Sequence, residues 1–211
     1  MTLVQERPRR LRSTSTRDLG RLTLEAGVLG AVSAAVVVVW PDQVAESRYS
    51  YPFTPTGYAV AQVFFAAQHL ALLAGLVALV RVTRGSSRTT RVGAWIAVVG
   101  MLGLTGCELF ALTAADAATT SEAADAVNAS YGGPTVVLGL GLVLAGAGLL
   151  RRPVLTGADR WVVLVLGAWI FVVLLPALFG PLVAGRLAIG TWMLLFAWLG
   201  AALVRHAEAR S

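Results

Sequence analysis

Few residues in this chain of 211 could carry chemistry. Three ionisable side chains, Glu25, His69 and Glu108, stand well inside long apolar stretches. A group of that kind at membrane depth is a functional-site hypothesis, because hydrocarbon makes it costly to keep. Glu25 lies near the start of its stretch with Arg21 one helical turn earlier, which predicts an ion pair or a side chain reaching back to the membrane surface. His69 and Glu108 offer more. On helices rising 1.5 Å per residue they fall ~15 Å and ~9 Å from the same side of a bilayer. The short connection at 81–91 makes their helices antiparallel neighbours.

Gln62 precedes His69 by two turns and Thr105 precedes Glu108 by one, so each pair shares a helix face. The expectation is one polar cluster of Gln62, His69, Thr105 and Glu108. Above it runs Tyr49-Ser-Tyr-Pro-Phe-Thr-Pro-Thr-Gly-Tyr58, a candidate cap through Tyr49, Tyr51, Phe53 and Tyr58. A histidine and a carboxylate in low dielectric can share or relay a proton. The same pair can serve only to fix helix packing, and the sequence weights the two roles equally.

Other chemistries lack their parts. No HExxH or similar His/Glu spacing offers a metal site. A haem needs two axial ligands in the bilayer, and His206, the second histidine, falls past the last apolar stretch. Ser33 is the one deep serine and has no glycine elbow. Gly85-Ser86 lacks the lysine and strand of a phosphate loop. The single cysteine, Cys107, rules out an intrachain disulfide and a CxxC redox pair. The residues therefore predict no enzyme, no cofactor and no metal.

The elements that must position these residues follow from composition. Hydrophobic residues make up 57% of the chain and charged residues 13%, with a mean hydropathy of +0.74. Soluble domains lie near 45–50% and about 25%. The apolar residues form runs near the ~20 that a bilayer demands of a helix. Six spans are expected, at about 22–40, 59–80, 92–114, 135–150, 161–179 and 187–204, the fifth kinked at Pro176. They make an all-α transmembrane domain over 21–205. Residues 1–20 are expected as a disordered Arg-rich tail, and 206–211 as a short second tail.

Every one of the 17 basic residues is arginine. Fifteen fall on one side of the six spans, in the first tail through Arg21, the 81–91 and 151–160 links and the C-terminal tail. Only Arg48 and Arg186 fall on the other, with five acidic residues. The positive-inside rule puts both termini in the cytoplasm. Arginines so placed set topology and do not line a nucleic-acid groove. Lysine-free, Ala/Val/Gly/Arg-rich usage points to a GC-rich bacterial genome, hence to the bacterial inner membrane.

Glycine, alanine and cysteine recur at four or seven residues: Gly27, Ala31 and Ala35; Gly93, Gly100 and Cys107; Gly139 and Gly146. Such rows let helices approach closely. The favoured functional expectation is a non-catalytic membrane subunit or scaffold, whose partner in the lipid bilayer is another membrane protein or a second copy of itself. The alternative is an outward-facing polar cavity near His69 and Glu108 that binds or moves a small solute or a proton. No charged path through the inner half favours it.

Overall fold

The computed structural model describes residues 15–210. Six helices long and apolar enough to cross a membrane make up an all-α, multi-pass bundle. They are α1 (Thr16–Val38), α2 (Pro55–Val82), α3 (Arg88–Phe110, prolonged by a 3₁₀ turn at Ala111–Ala114), α4 (Glu122–Arg151), α5 (Gly157–Leu178) and α6 (Leu182–Glu208).

Their starts are chemically encoded. Ser15 caps α1 with a reciprocal capping box, its hydroxyl accepting from the Asp18 amide at 3.1 Å while Asp18 accepts from the Ser15 amide at 3.1 Å. Helix therefore begins before residue 20, which shortens the expected tail; residues 1–14 lie outside the described residues. Thr54 caps α2, and Pro55 occupies the first turn, where its missing N–H costs nothing. Ser121 caps α4, with Glu122 and Asp125 against the positive end of the helix. At the other end of the chain α6 continues through Glu208, so the expected tail from 206 is largely helical.

Two prolines interrupt this order differently. Pro134 sits inside α4, where the sequence suggested the end of a loop. A proline at that place frees the carbonyl four residues back, that of Ser130. The Cys107 thiol on α3 donates to this carbonyl at 3.3 Å, so a neighbouring helix restores the lost bond. In α5 the turns before Pro176 widen into a π-helical stretch, Ile170–Leu174. The Trp192 indole of α6 donates to the Leu166 carbonyl just ahead of it at 3.3 Å.

Sequential helices run antiparallel, and α1 and α6 close the ring. A Cβ on Gly27 would stand 2.5 Å from the Ala197 amide nitrogen, and one on Gly93 2.7 Å from the Gly141 carbonyl. The backbones of α1 and α6, and of α3 and α4, meet there without a side chain between them. Helix α2 contributes Leu72, Leu76 and Leu79, fully buried, to a core shared with Met101, Leu142 and Phe196. Outward, Val32, Val60, Trp95, Val99 and Val172 are exposed, the surface expected of a bundle surrounded by lipid.

A buried polar cluster beneath the interhelical loops

The face opposite the termini is covered by two connections joined to each other. Around Arg48 and Ala118 the chains form a short antiparallel bridge. The Tyr49 amide donates to the Ala117 carbonyl at 3.0 Å and the Thr119 amide to the Ser47 carbonyl at 2.8 Å. The Arg48 guanidinium donates to the Asp116 carbonyl at 2.8 Å. Within the first connection the Gln43 side chain accepts from the Thr54 amide at 3.1 Å, tying the loop to the start of α2.

Beneath this cover lies a polar group built from four helices. His69 on α2 and Glu108 on α3 are buried, and Nδ1 of His69 stands 3.6 Å from Oε1 of Glu108. The two therefore meet, beyond hydrogen-bond length. Nδ1 makes no hydrogen bond at all; the Phe65 carbonyl, one turn back, is the other acceptor near the ring. The second oxygen of Glu108 accepts from the Tyr131 hydroxyl of α4 at 3.1 Å. Arg186, half-buried on the second turn of α6, completes the group. Its charge acts on Glu108, Tyr58 and Tyr131, and no described carboxylate reaches it within the 4.0 Å of an ion pair.

Gln62 joins from above, donating to the Tyr58 hydroxyl at 2.6 Å. The rings of Tyr58 and Tyr49 meet edge to face at 6.0 Å. The Tyr49 hydroxyl in turn donates to Asn128 of α4 at 2.8 Å. Burial and the Glu108 charge both push the Tyr49 phenol above its ordinary value of 10.0.

Five of the expected residues are placed differently. Thr105 is buried, but its hydroxyl donates to its own helix at the Met101 carbonyl, 2.9 Å away, and adds no bond to the pair. Tyr58 belongs to the first turn of α2 and not to the loop. Tyr51 and Phe53 turn away from the cluster: Tyr51 donates to Asp42 at 2.8 Å, and Phe53 packs on Trp40 at 5.3 Å. Glu25 is exposed on α1 with no ion pair to Arg21 within 4.0 Å.

Sequence reasoning missed Tyr131 and Arg186, for one reason. Both fall between the expected spans, where Gly132-Gly133-Pro134 and Gly180-Pro181 predict breaks. The signal for Tyr131 was present in Ser121 followed by two acids in an alanine-rich run, a helix start well ahead of Pro134. Nothing comparable marked Arg186. Gln68, a third polar interruption of α2, has a packing role: it donates to the Ala26 carbonyl at 3.1 Å across the gap left by Gly30.

The arrangement brings an imidazole, a carboxylate and a phenol together below the loops, Glu108 touching both His69 and Tyr131. Among the described residues no three His, Cys, Asp or Glu side chains stand close enough to hold a metal ion. No protein-family model, curated protein or solved structure matches the chain.

Proposed function

We propose that this protein is a non-catalytic subunit or scaffold of a membrane, with both termini in the cytoplasm of a bacterium. The observation that carries the reading is the apolar half of the bundle nearest the termini. Leu72, Leu76, Leu79, Leu142, Leu149, Leu199 and Leu203 are fully buried there, and packed leucines give a solute or a proton nothing to bind along the way. Ser33, the deep serine, supports it too: its hydroxyl donates to the Leu29 carbonyl at 2.7 Å on an exposed face. The glycine rows offer no free face to a partner, because Gly93, Gly100, Gly139 and Gly146 lie against helices of the same chain. A partner or second copy would read the lipid-facing sides or the connections.

Vesicles containing the purified protein and an internal pH dye test this directly. Under an imposed pH gradient their leak should equal that of empty vesicles. A flux that Glu108→Leu removes would overturn the scaffold reading.

A second reading has its own observation, the buried Nδ1 of His69 that faces Glu108 without a hydrogen bond. It treats the cluster as a site for a proton or a small polar solute, reached from the side opposite the termini. The measurement is thermal stability against pH for the wild type, His69→Leu, Glu108→Leu and the double variant. A pH response that neither substitution alters sinks this second reading.

A further inference from the structure

The opposite end of the molecule holds a second feature. The α2–α3 link, the α4–α5 link and the end of α6 converge on a cleft of about 330 Å³, lined by Val82, Gly85, Ser86, Arg152, Val154 and Arg210. Its polar side chains are two guanidiniums and a hydroxyl. The arginines approach from two different segments, and the Ser86 hydroxyl is buried without a hydrogen-bond partner. Open space surrounds Gly85, and α3 begins directly after at Arg88, with the positive end of its dipole toward this face.

The nearby described carboxylates have partners of their own. Asp159 accepts from Arg205 at 2.6 and 2.9 Å and from the Trp198 indole at 2.9 Å. Glu208 pairs with Arg17 at 2.8 Å, and Asp18 accepts from Ser15. Arg152 and Arg210 have no described carboxylate within 4.0 Å. Two guanidinium forks without an ion pair among the described residues, together with a hydroxyl, are complementary to tetrahedral oxyanions. Basic pockets between helices at this depth are where phosphate headgroups lodge.

We propose that this cleft binds a phosphate-bearing anion, held by Arg152 and Arg210 with Ser86 as the third donor. The headgroup of an anionic phospholipid and a free phosphate share this chemistry. The site stands apart from the His69–Glu108 cluster and does not depend on it.

Native mass spectrometry of the full chain in detergent, titrated with phosphatidylglycerol and separately with phosphatidylcholine, reads lipid retention. Thermal melting with and without inorganic phosphate reads the soluble anion. Phosphatidylglycerol retention should fall about tenfold or more in R152Q/R210Q, as losing charge-assisted bonds implies, and about threefold in S86A. R84Q, an exposed arginine on the same face outside the cleft, should stay within about twofold. Both variant arginines are exposed, and melting without additive confirms that the variants fold. A variant-sensitive phosphatidylglycerol adduct with no phosphate effect identifies the headgroup. A variant-sensitive rise in melting temperature on phosphate alone identifies a soluble ligand. The proposal is overturned if neither probe separates wild type from R152Q/R210Q, if phosphatidylcholine is retained equally, or if R84Q loses as much.

Discussion

One helix, α2, passes through two different environments. From Leu72 to Leu79 its inward face is leucine and alanine at zero exposure, and the helices around it approach backbone to backbone. Between Tyr58 and His69 its inward face carries a phenol, an amide and an imidazole, beside Glu108 and Tyr131. The first half is held by shape, since lipid offers no hydrophobic gain for bringing helices together. The second is held by hydrogen bonds from Tyr131 to Glu108, Gln62 to Tyr58 and Tyr49 to Asn128, and a donor stripped of its acceptor there is costly. The two halves should therefore respond to different mutations. In the leucine half any added volume is harmful. In the polar half volume matters less than which donor is left alone.

Gly93→Leu should produce the largest effect. Its Cβ would lie 2.5 Å from the Ala145 amide nitrogen and 2.7 Å from the Gly141 carbonyl, and backbone cannot swing aside as a side chain does. We expect a loss at or above the upper end of overpacking costs, about 3 kcal/mol, seen as failure to recover a monodisperse protein in detergent. Gly106→Leu is the matched control. A Cβ there meets nothing within 4 Å, and the change should cost less than about 0.5 kcal/mol. Equal damage from both would show that the α3–α4 approach is not what holds this half together.

In the polar half Glu108→Leu comes next. It leaves the Tyr131 hydroxyl buried without its acceptor and Arg186 without the nearest opposite charge, a loss of about 1–3 kcal/mol in thermal or denaturant unfolding. Glu108→Gln keeps an acceptor for Tyr131 and should recover part of the loss. His69→Leu should cost far less or even stabilise, because Nδ1 has no hydrogen bond to lose. A coupling energy between positions 69 and 108 above about 1 kcal/mol would show that the 3.6 Å contact acts as a true ion pair.

Cys107→Ala falls lower. It removes the donor that serves the Ser130 carbonyl beside Pro134, for about 1 kcal/mol. Cys107→Ser should restore most of it, which a simple packing role for the cysteine would not predict.

The same contrast explains what could be read in the sequence. Six spans were legible because apolar runs of membrane length have no soluble alternative, and the His69–Glu108 meeting followed from depth and a short link. Helix ends were not. Pro134 and the glycines beside it look like a terminator, yet α4 runs through them because a thiol on another helix takes up the orphaned carbonyl. No local pattern encodes that compensation. Arg186 was assigned to a loop for the same reason, since Gly180-Pro181 ends α5 but also starts α6. The residues that complete the cluster were thus hidden by rules for water, where a proline or glycine breaks a helix more readily than it does in a membrane.

The smallest expected effect tests whether the loop cover belongs to the polar half at all. Tyr49→Phe keeps the ring against Tyr58 and removes only the hydroxyl that donates to Asn128. At neutral pH this should cost about 0.5–1 kcal/mol, the ordinary net worth of one hydrogen bond. The alkaline side is more revealing. The half-buried Tyr49 phenol is held above its ordinary value of 10.0, so its stabilising contribution is complete below pH 10 and is lost as pH rises through the folded value. Wild-type unfolding measured upward from pH 10 should therefore show a decline that Tyr49→Phe reduces. Tyr51→Phe, at an exposed phenol that its Asp42 hydrogen bond also holds above 10.0, should reduce that decline less, because solvent screens it. If Tyr51→Phe reduces it as much, the two tyrosines are equivalent surface groups, and the Tyr49–Asn128 bond does not tie the cover to the polar half.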